Sequence, residues 1–161
     1  MDPQSLLAEM RTHIPETEII LRLTLAMIFG AVIGFEREVN DHSAGLRTHM
    51  LTSLAAALFT VLTFELFHEV QESGGESNAD PIRVVEAVTA GVAFLAAGAI
   101  ISNRGQVKGL TTGAGMWLAG AIGLACGAGR YMIAAIAVVL SLIVLTVIER
   151  IKVRLIGTKD S

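Results

Sequence analysis

The chain has 161 residues, 53% of them hydrophobic and 17% charged, with a formal net charge of −3. This balance is more apolar than that of an ordinary soluble domain, and the scattered basic residues exclude a nucleic-acid surface. The single cysteine, Cys126, rules out an intrachain disulfide and a cysteine-based metal cluster and reads as a small packing residue.

Residues 1–18 carry Asp2, Glu9, Glu16 and Glu18 and lack the basic start of a signal peptide, so they are expected to stay on the protein as an N-terminal tail. Leu6, Leu7 and Met10 suggest an interfacial amphipathic turn, stopped by Pro15. Residues 19–35 form the first spanning candidate, with Gly30 and Gly34 at GxxxG spacing and Arg22 within a turn of its start. A polar connector then holds Glu36, Arg37, Glu38, Asp41, His42, Arg47 and His49. The second span, about residues 46–67, bears hydroxyls at Thr48, Thr52, Ser53, Thr60 and Thr63 that can bond to carbonyls one turn back. Past it, an acidic stretch with Gly74, Gly75 and Pro81 reads as an exposed loop.

Residues 86–127 read as a transmembrane helical hairpin, because both arms are apolar and neither shows the alternation of a strand. At about 100° per residue, Gly109, Gly113, Gly120, Gly123 and Gly127 share one face of the second arm, against which another helix can press its backbone. The first arm answers with Ala87, Gly91 and Gly98, so the hairpin is expected to pack on itself. Its connector is expected to be a tight turn: Gly109 relieves the backbone, Lys108 marks the cytoplasmic side, and Thr111 and Thr112 cap the next helix. The phosphate-loop pattern GxxxxGK[ST] is not satisfied there. A fifth, uniformly apolar span covers residues 132–148.

The fold class is therefore all-α: a polytopic membrane protein with five transmembrane helices over residues 19–151 and a short basic tail at 152–161. Arg37, Arg47, Arg104, Lys108, Arg150, Lys152, Arg154 and Lys159 fall on one side of the membrane, against Arg11, Arg83 and Arg130 on the other. By the positive-inside rule the N-terminus is outside and the C-terminus cytoplasmic. Arg22 and Glu86 then lie at matching depth and are expected to form an intramembrane ion pair, with Glu65 the alternative acid. Glu65, His68, Glu69 and Glu72 line one helical face, where carboxylates and water could hold a hard cation; a solvated acidic face is the preferred reading, and the metal content stays unknown.

The stretches GAVIGFERE (30–38), AGLRTHML (44–51), DPIRVVEAVTAGVAFLAAGAI (80–100) and VKGLTTGAGMWLAGAIGLACGAG (107–129) resemble, in this order, the MgtC/SapB family of bacterial inner-membrane proteins. The resemblance implies a non-enzymatic protein without a cofactor, associated with growth in low magnesium, intramacrophage survival and virulence, and in some members with restraint of the F-type ATP synthase. It is closest to a short form lacking the soluble C-terminal domain of many members. Glu36, Arg37, Arg47, Thr48 and His49 match the family's best-marked motifs and stand as a cytoplasmic docking surface or ion-handling mouth. Expected partners are membrane lipid and another membrane protein, and the glycine faces leave room for a homodimer. The alternative is a small transporter or channel for Mg²⁺ or protons.

Overall fold

The computed structural model describes residues 12–73, 80, 82–103 and 106–148. The amphipathic turn at Leu6, Leu7 and Met10, the glycines Gly74 and Gly75, and the basic tail lie outside the described residues. Five helices follow one another: α1 (Glu16–Val39), α2 (Leu46–Glu72), α3 (Ile82–Gly98), α4 (Leu110–Gly127) and α5 (Tyr131–Leu142), the last continuing as a π-helical stretch, Ile143–Ile148. Helices α1, α2 and α4 are long and apolar enough to cross a membrane, α5 with its extension is a shorter apolar helix, and α3 has 17 residues. Helix is the form such sequences take in lipid, because each N–H and C=O must find its partner within the segment.

α4 sits at the centre, packed on α1, α2, α3 and α5. The core it shares with them holds Ala26, Ile33, Ala57, Ile122, Cys126, Ala134 and Val138. Glycines decide how closely the helices approach. A Cβ on Gly30 would lie 2.6 Å from the His49 carbonyl oxygen, and one on Gly34 2.7 Å from the Leu46 Cα, so the GxxxG pair marks the α1–α2 crossing. The α4 glycines do not form one face toward one helix. Gly113 and Gly120 meet Ala96, Ile100 and Val92 of the α3 arm, whereas Gly123 and Gly127 meet the backbone of α2 at Ser53 and Ala57. Position 115, apolar and small, also faces α2: it is buried against His49.

The hairpin's self-packing differs from expectation. Within α3 only Val92 and Ala96 are buried, while Gly91 and Gly98 have nothing within 4 Å of where a Cβ would stand. Branched Val92 seats on Gly120 of α4, so the small residue is needed on one side of the contact only. α3 leans on α4 and is splayed from α2, leaving an apolar groove of about 510 Å³ lined by Phe59, Leu62, Leu66, Ala87, Gly91 and Leu95, among others.

The connector is not a tight turn but a small antiparallel β-hairpin, β1 (Ile101–Asn103) with β2 (Gln106–Lys108), Ile101 opposite Lys108. Backbone groups leaving α3 are paired to each other before the chain re-enters helix. Gly109 then takes φ +87° as the residue preceding α4, and a Cβ there would strike the Ala99 carbonyl. Thr111 and Thr112 make no capping bond, since Gly109 occupies the cap position and both threonines are already inside the helix.

Candidate functional site

The two ends of the bundle gather the polar side chains, and the richer one lies where α1 passes into α2. Asn40 donates through Nδ2 to the Glu36 carbonyl (2.9 Å) and to Glu36 Oε1 (2.8 Å), closing α1. The His42 N–H donates to the Arg37 carbonyl (3.1 Å), and Asp41 takes a left-handed φ of +55° that reverses the chain. Glu38 accepts the Leu46 N–H at Oε2 (2.9 Å), so an acid at the end of one helix serves an orphan donor at the start of the next. A Cβ at Gly45 would collide with that carboxylate. Ala44 packs with Ala96 and Met116, which fixes the loop to the ends of α3 and α4.

This tight reversal folds Arg37 and His49 inward, leaving them 1% and 0% exposed. Arg37 Nη1 lies 3.4 Å from Glu36 Oε2, whereas Nε and Nη2 have no hydrogen-bond partner among the described residues. His49 Nδ1 is 2.9 Å from the Gly45 carbonyl, which can only accept, so Nδ1 carries a proton. Nε2, buried and unpartnered, faces Gly115, where a Cβ would stand 3.1 Å away. Arg37 and His49 are thus both buried at the α1–α2 junction. The arrangement is a cation and an imidazole held under the surface at one junction, with two guanidinium nitrogens free to donate and the ring Nε2 free to accept. Of the residues singled out in the sequence, Glu36, Arg37 and His49 meet here. Thr48 is half-buried and passes its carbonyl to Thr52 Oγ1 (2.8 Å), Thr112 is buried within α4, and Arg47, Lys108 and Thr111 are exposed.

The opposite end overturns the expected Arg22–Glu86 pair. Arg22 Nε lies 3.0 Å from Glu18 Oε1, one turn back on α1, and Nη1 donates to the Gly127 carbonyl at 2.8 Å. Tyr131 donates its hydroxyl to the same Glu18 oxygen (2.8 Å), so the carboxylate ties α1 to α5 while Arg22 ties α1 to the end of α4. Glu86 instead points outward from α3. Matching depth did not bring them together because α3 packs chiefly on α4 and makes no substantial contact with α1. Glu65 is occupied as well, accepting the backbone N–H groups of His13 and Ile14 at 2.8 and 2.7 Å. With His13 stacked on His68 and 3.5 Å from Glu72, the acidic face is a clasp for the segment before α1 and not simply a solvated surface. Among the described residues no group of His, Cys, Asp and Glu is arranged to hold a metal ion.

A double-mutant cycle checks this end. Arg22→Gln and Glu18→Gln are expected to be strongly non-additive in thermal stability, because each removes the same contact, while Arg22→Gln and Glu86→Gln add. Coupling between residues 22 and 86 would contradict the geometry. The i, i+4 spacing of Glu18 and Arg22 was a sequence signal for the true partner; nothing in the sequence pointed to Tyr131 or to the bridging role of Glu38.

Between the ends, Ser53 donates to the Ala26 carbonyl (2.7 Å), Thr60 to Ala56 (2.8 Å) and Ser141 to Val138 (2.7 Å). These three buried hydroxyls are thus spent on backbone carbonyls.

The MgtC family profile matches residues 23–154. The chain belongs to the MgtC family. It is 38% identical over 140 residues to an Escherichia coli K12 protein named as a candidate magnesium transporter, YhiD, covering 87% of this chain and 65% of that protein. It is 39% identical over 114 residues to the protein MgtC of Brucella abortus, covering 71% of this chain and 44% of that one. A Haemophilus influenzae protein without an assigned function is 32% identical over 126 residues, 78% of this chain and 53% of its own length. This chain therefore spans about half to two thirds of the length of these MgtC-family relatives. No solved structure matches. The profile begins after Glu18 and Arg22 and includes the whole Glu36–Arg37–His49 cluster.

Proposed function

We propose that this MgtC-family chain is a non-enzymatic integral protein of the bacterial inner membrane, tied to magnesium limitation, that acts by contact with another membrane complex. Its N-terminus is outside, which places Glu36, Arg37 and His49 at the cytoplasmic end. One observation carries the reading: the buried Arg37–His49 cluster is locked into a packed helix junction, with donors unmatched inside the chain, and is backed by an apolar interior. A fixed polar group at one face suits recognition. An ion path needs polar groups that continue through the bundle, and here the hydroxyls of Ser53, Thr60 and Ser141 are already bonded to carbonyls.

The second reading is Mg²⁺ or proton transport, of which the name given to the Escherichia coli relative favours the Mg²⁺ form. Proteoliposomes of the purified protein, loaded with a Mg²⁺ or pH indicator, separate the two. The expected result is flux no greater than that of empty liposomes; sustained flux lost on Arg37→Gln would establish the transport reading instead. The F-type ATP synthase, implied as a partner by the family resemblance, is tested by co-purification from membranes of magnesium-starved cells, with Arg37→Gln as the control.

A further inference from the structure

We propose that the outward face of α3 is a homodimer interface, against which a second copy of this chain sets its own α3 in parallel. Lipid-facing helix surfaces are usually bulky, and α5 shows it: Met132, Ile133, Ile136, Val139 and Leu140 are all more than half exposed. The side of α3 turned away from Val92 and Ala96 is different. It presents Ala90, Ala93 and Ala97, all exposed and none of them lining the groove toward α2, with Phe94 projecting among them at 81% exposure. Without a hydrophobic drive between helices in lipid, small residues are what allow two backbones to approach closely enough to bind.

Charge selects the partner. α3 has 17 residues, about 25 Å at 1.5 Å per residue, so it needs its full length to cross a hydrocarbon layer of about 30 Å. Glu86, one turn in, is then held within the apolar layer, and Arg83 sits about 4.5 Å nearer the surface on the same face. Among the described residues neither makes an ion pair within the chain. Two copies inserted in the same orientation are related by an axis along the membrane normal, and their contact is self-complementary. Arg83 of each copy then meets Glu86 of the other, and one symmetric contact forms two ion pairs that satisfy all four charges.

The test uses two single variants in full-length chains, carrying different tags and reconstituted in lipid nanodiscs. Arg83→Glu makes the interface wholly acidic and Glu86→Arg wholly basic, so each alone is expected to lose self-association. Mixed, they are expected to co-capture at least about tenfold more than either alone, since the sign of every cross-pair becomes attractive. An intrachain 83–86 pair predicts no such rescue on mixing. Self-association of Glu86→Arg at the wild-type level would overturn the proposal. Independently, in a Cys126→Ala background, Ala90→Cys is expected to cross-link between copies in native membranes and Ile136→Cys, on the outward face of α5, is not. Absence of the Ala90→Cys cross-link, or equal cross-linking at both positions, would overturn it whether or not the charge variants fold.

Discussion

Gly123→Leu is expected to be far more destabilising than Gly91→Leu, although both replace a glycine in the same helical hairpin. At Gly123 a Cβ would overlap the Ser53 carbonyl and stand 2.9 Å from Ala56 Cβ, so the leucine cannot be admitted by rotating a neighbour; α2 and α4 must separate. Overpacking of this kind costs about 1–3 kcal/mol and more where backbone has to move, and the upper end is expected here. At Gly91 nothing lies within 4 Å. In a monomer, that substitution costs only what helix propensity and local crowding dictate, and leucine is the better helix former. Gly120 should fall between them, since its neighbours at 2.9 and 3.1 Å are Val92 methyls that can give way. Unfolding of the monomer in mixed detergent micelles would rank the three; equal losses at Gly123 and Gly91 would contradict the packing described.

Arg37→Met is expected to hold or raise stability while abolishing the protein's effect in cells. Arg37 is 1% exposed, touches one carboxylate oxygen at 3.4 Å and leaves two nitrogens without acceptors. Replacing a buried ionic group by an apolar side chain of similar volume is often neutral or stabilising by about 1–4 kcal/mol. Glu36→Gln should act in the opposite direction, because it removes the guanidinium's ion-pair partner among the described residues. The check pairs thermal unfolding with growth of a complemented deletion strain at low magnesium. Loss of growth with stability retained identifies Arg37 as a functional group. Loss of both would make it a structural one.

How much of this was legible in the sequence differs from feature to feature, for physical reasons. The five helices were, because apolarity over a span's length is a property of the segment alone, and α1 to α5 fall on the expected stretches. The β-hairpin at 101–108 was not, since six strand residues carry too little periodicity to separate from a turn. Glycine content identified α4 as a packing helix, but angular position could not say that Gly120 meets α3 while Gly123 meets α2. That depends on which helices flank α4. The Arg22 reading failed for a related reason: depth in the membrane is one coordinate of three, and Glu86 shares only that one. Arg37 and His49 could be picked out by motif, yet their burial could not, because charged residues in a connector ordinarily face water.

α4 touches every other helix, yet it is the least apolar of the three long ones and the most buried. This has a consequence for biogenesis. Seven glycines and threonines between Leu110 and Gly127 make the segment a poor candidate to partition into lipid alone, and its surfaces are complementary to α1 and α2, which are synthesised first. α4 should therefore leave the insertion machinery onto a waiting α1–α2 pair, docking by its glycines as it enters, and a chain stalled before residue 110 would present the membrane with a pair of helices whose shared groove is still empty.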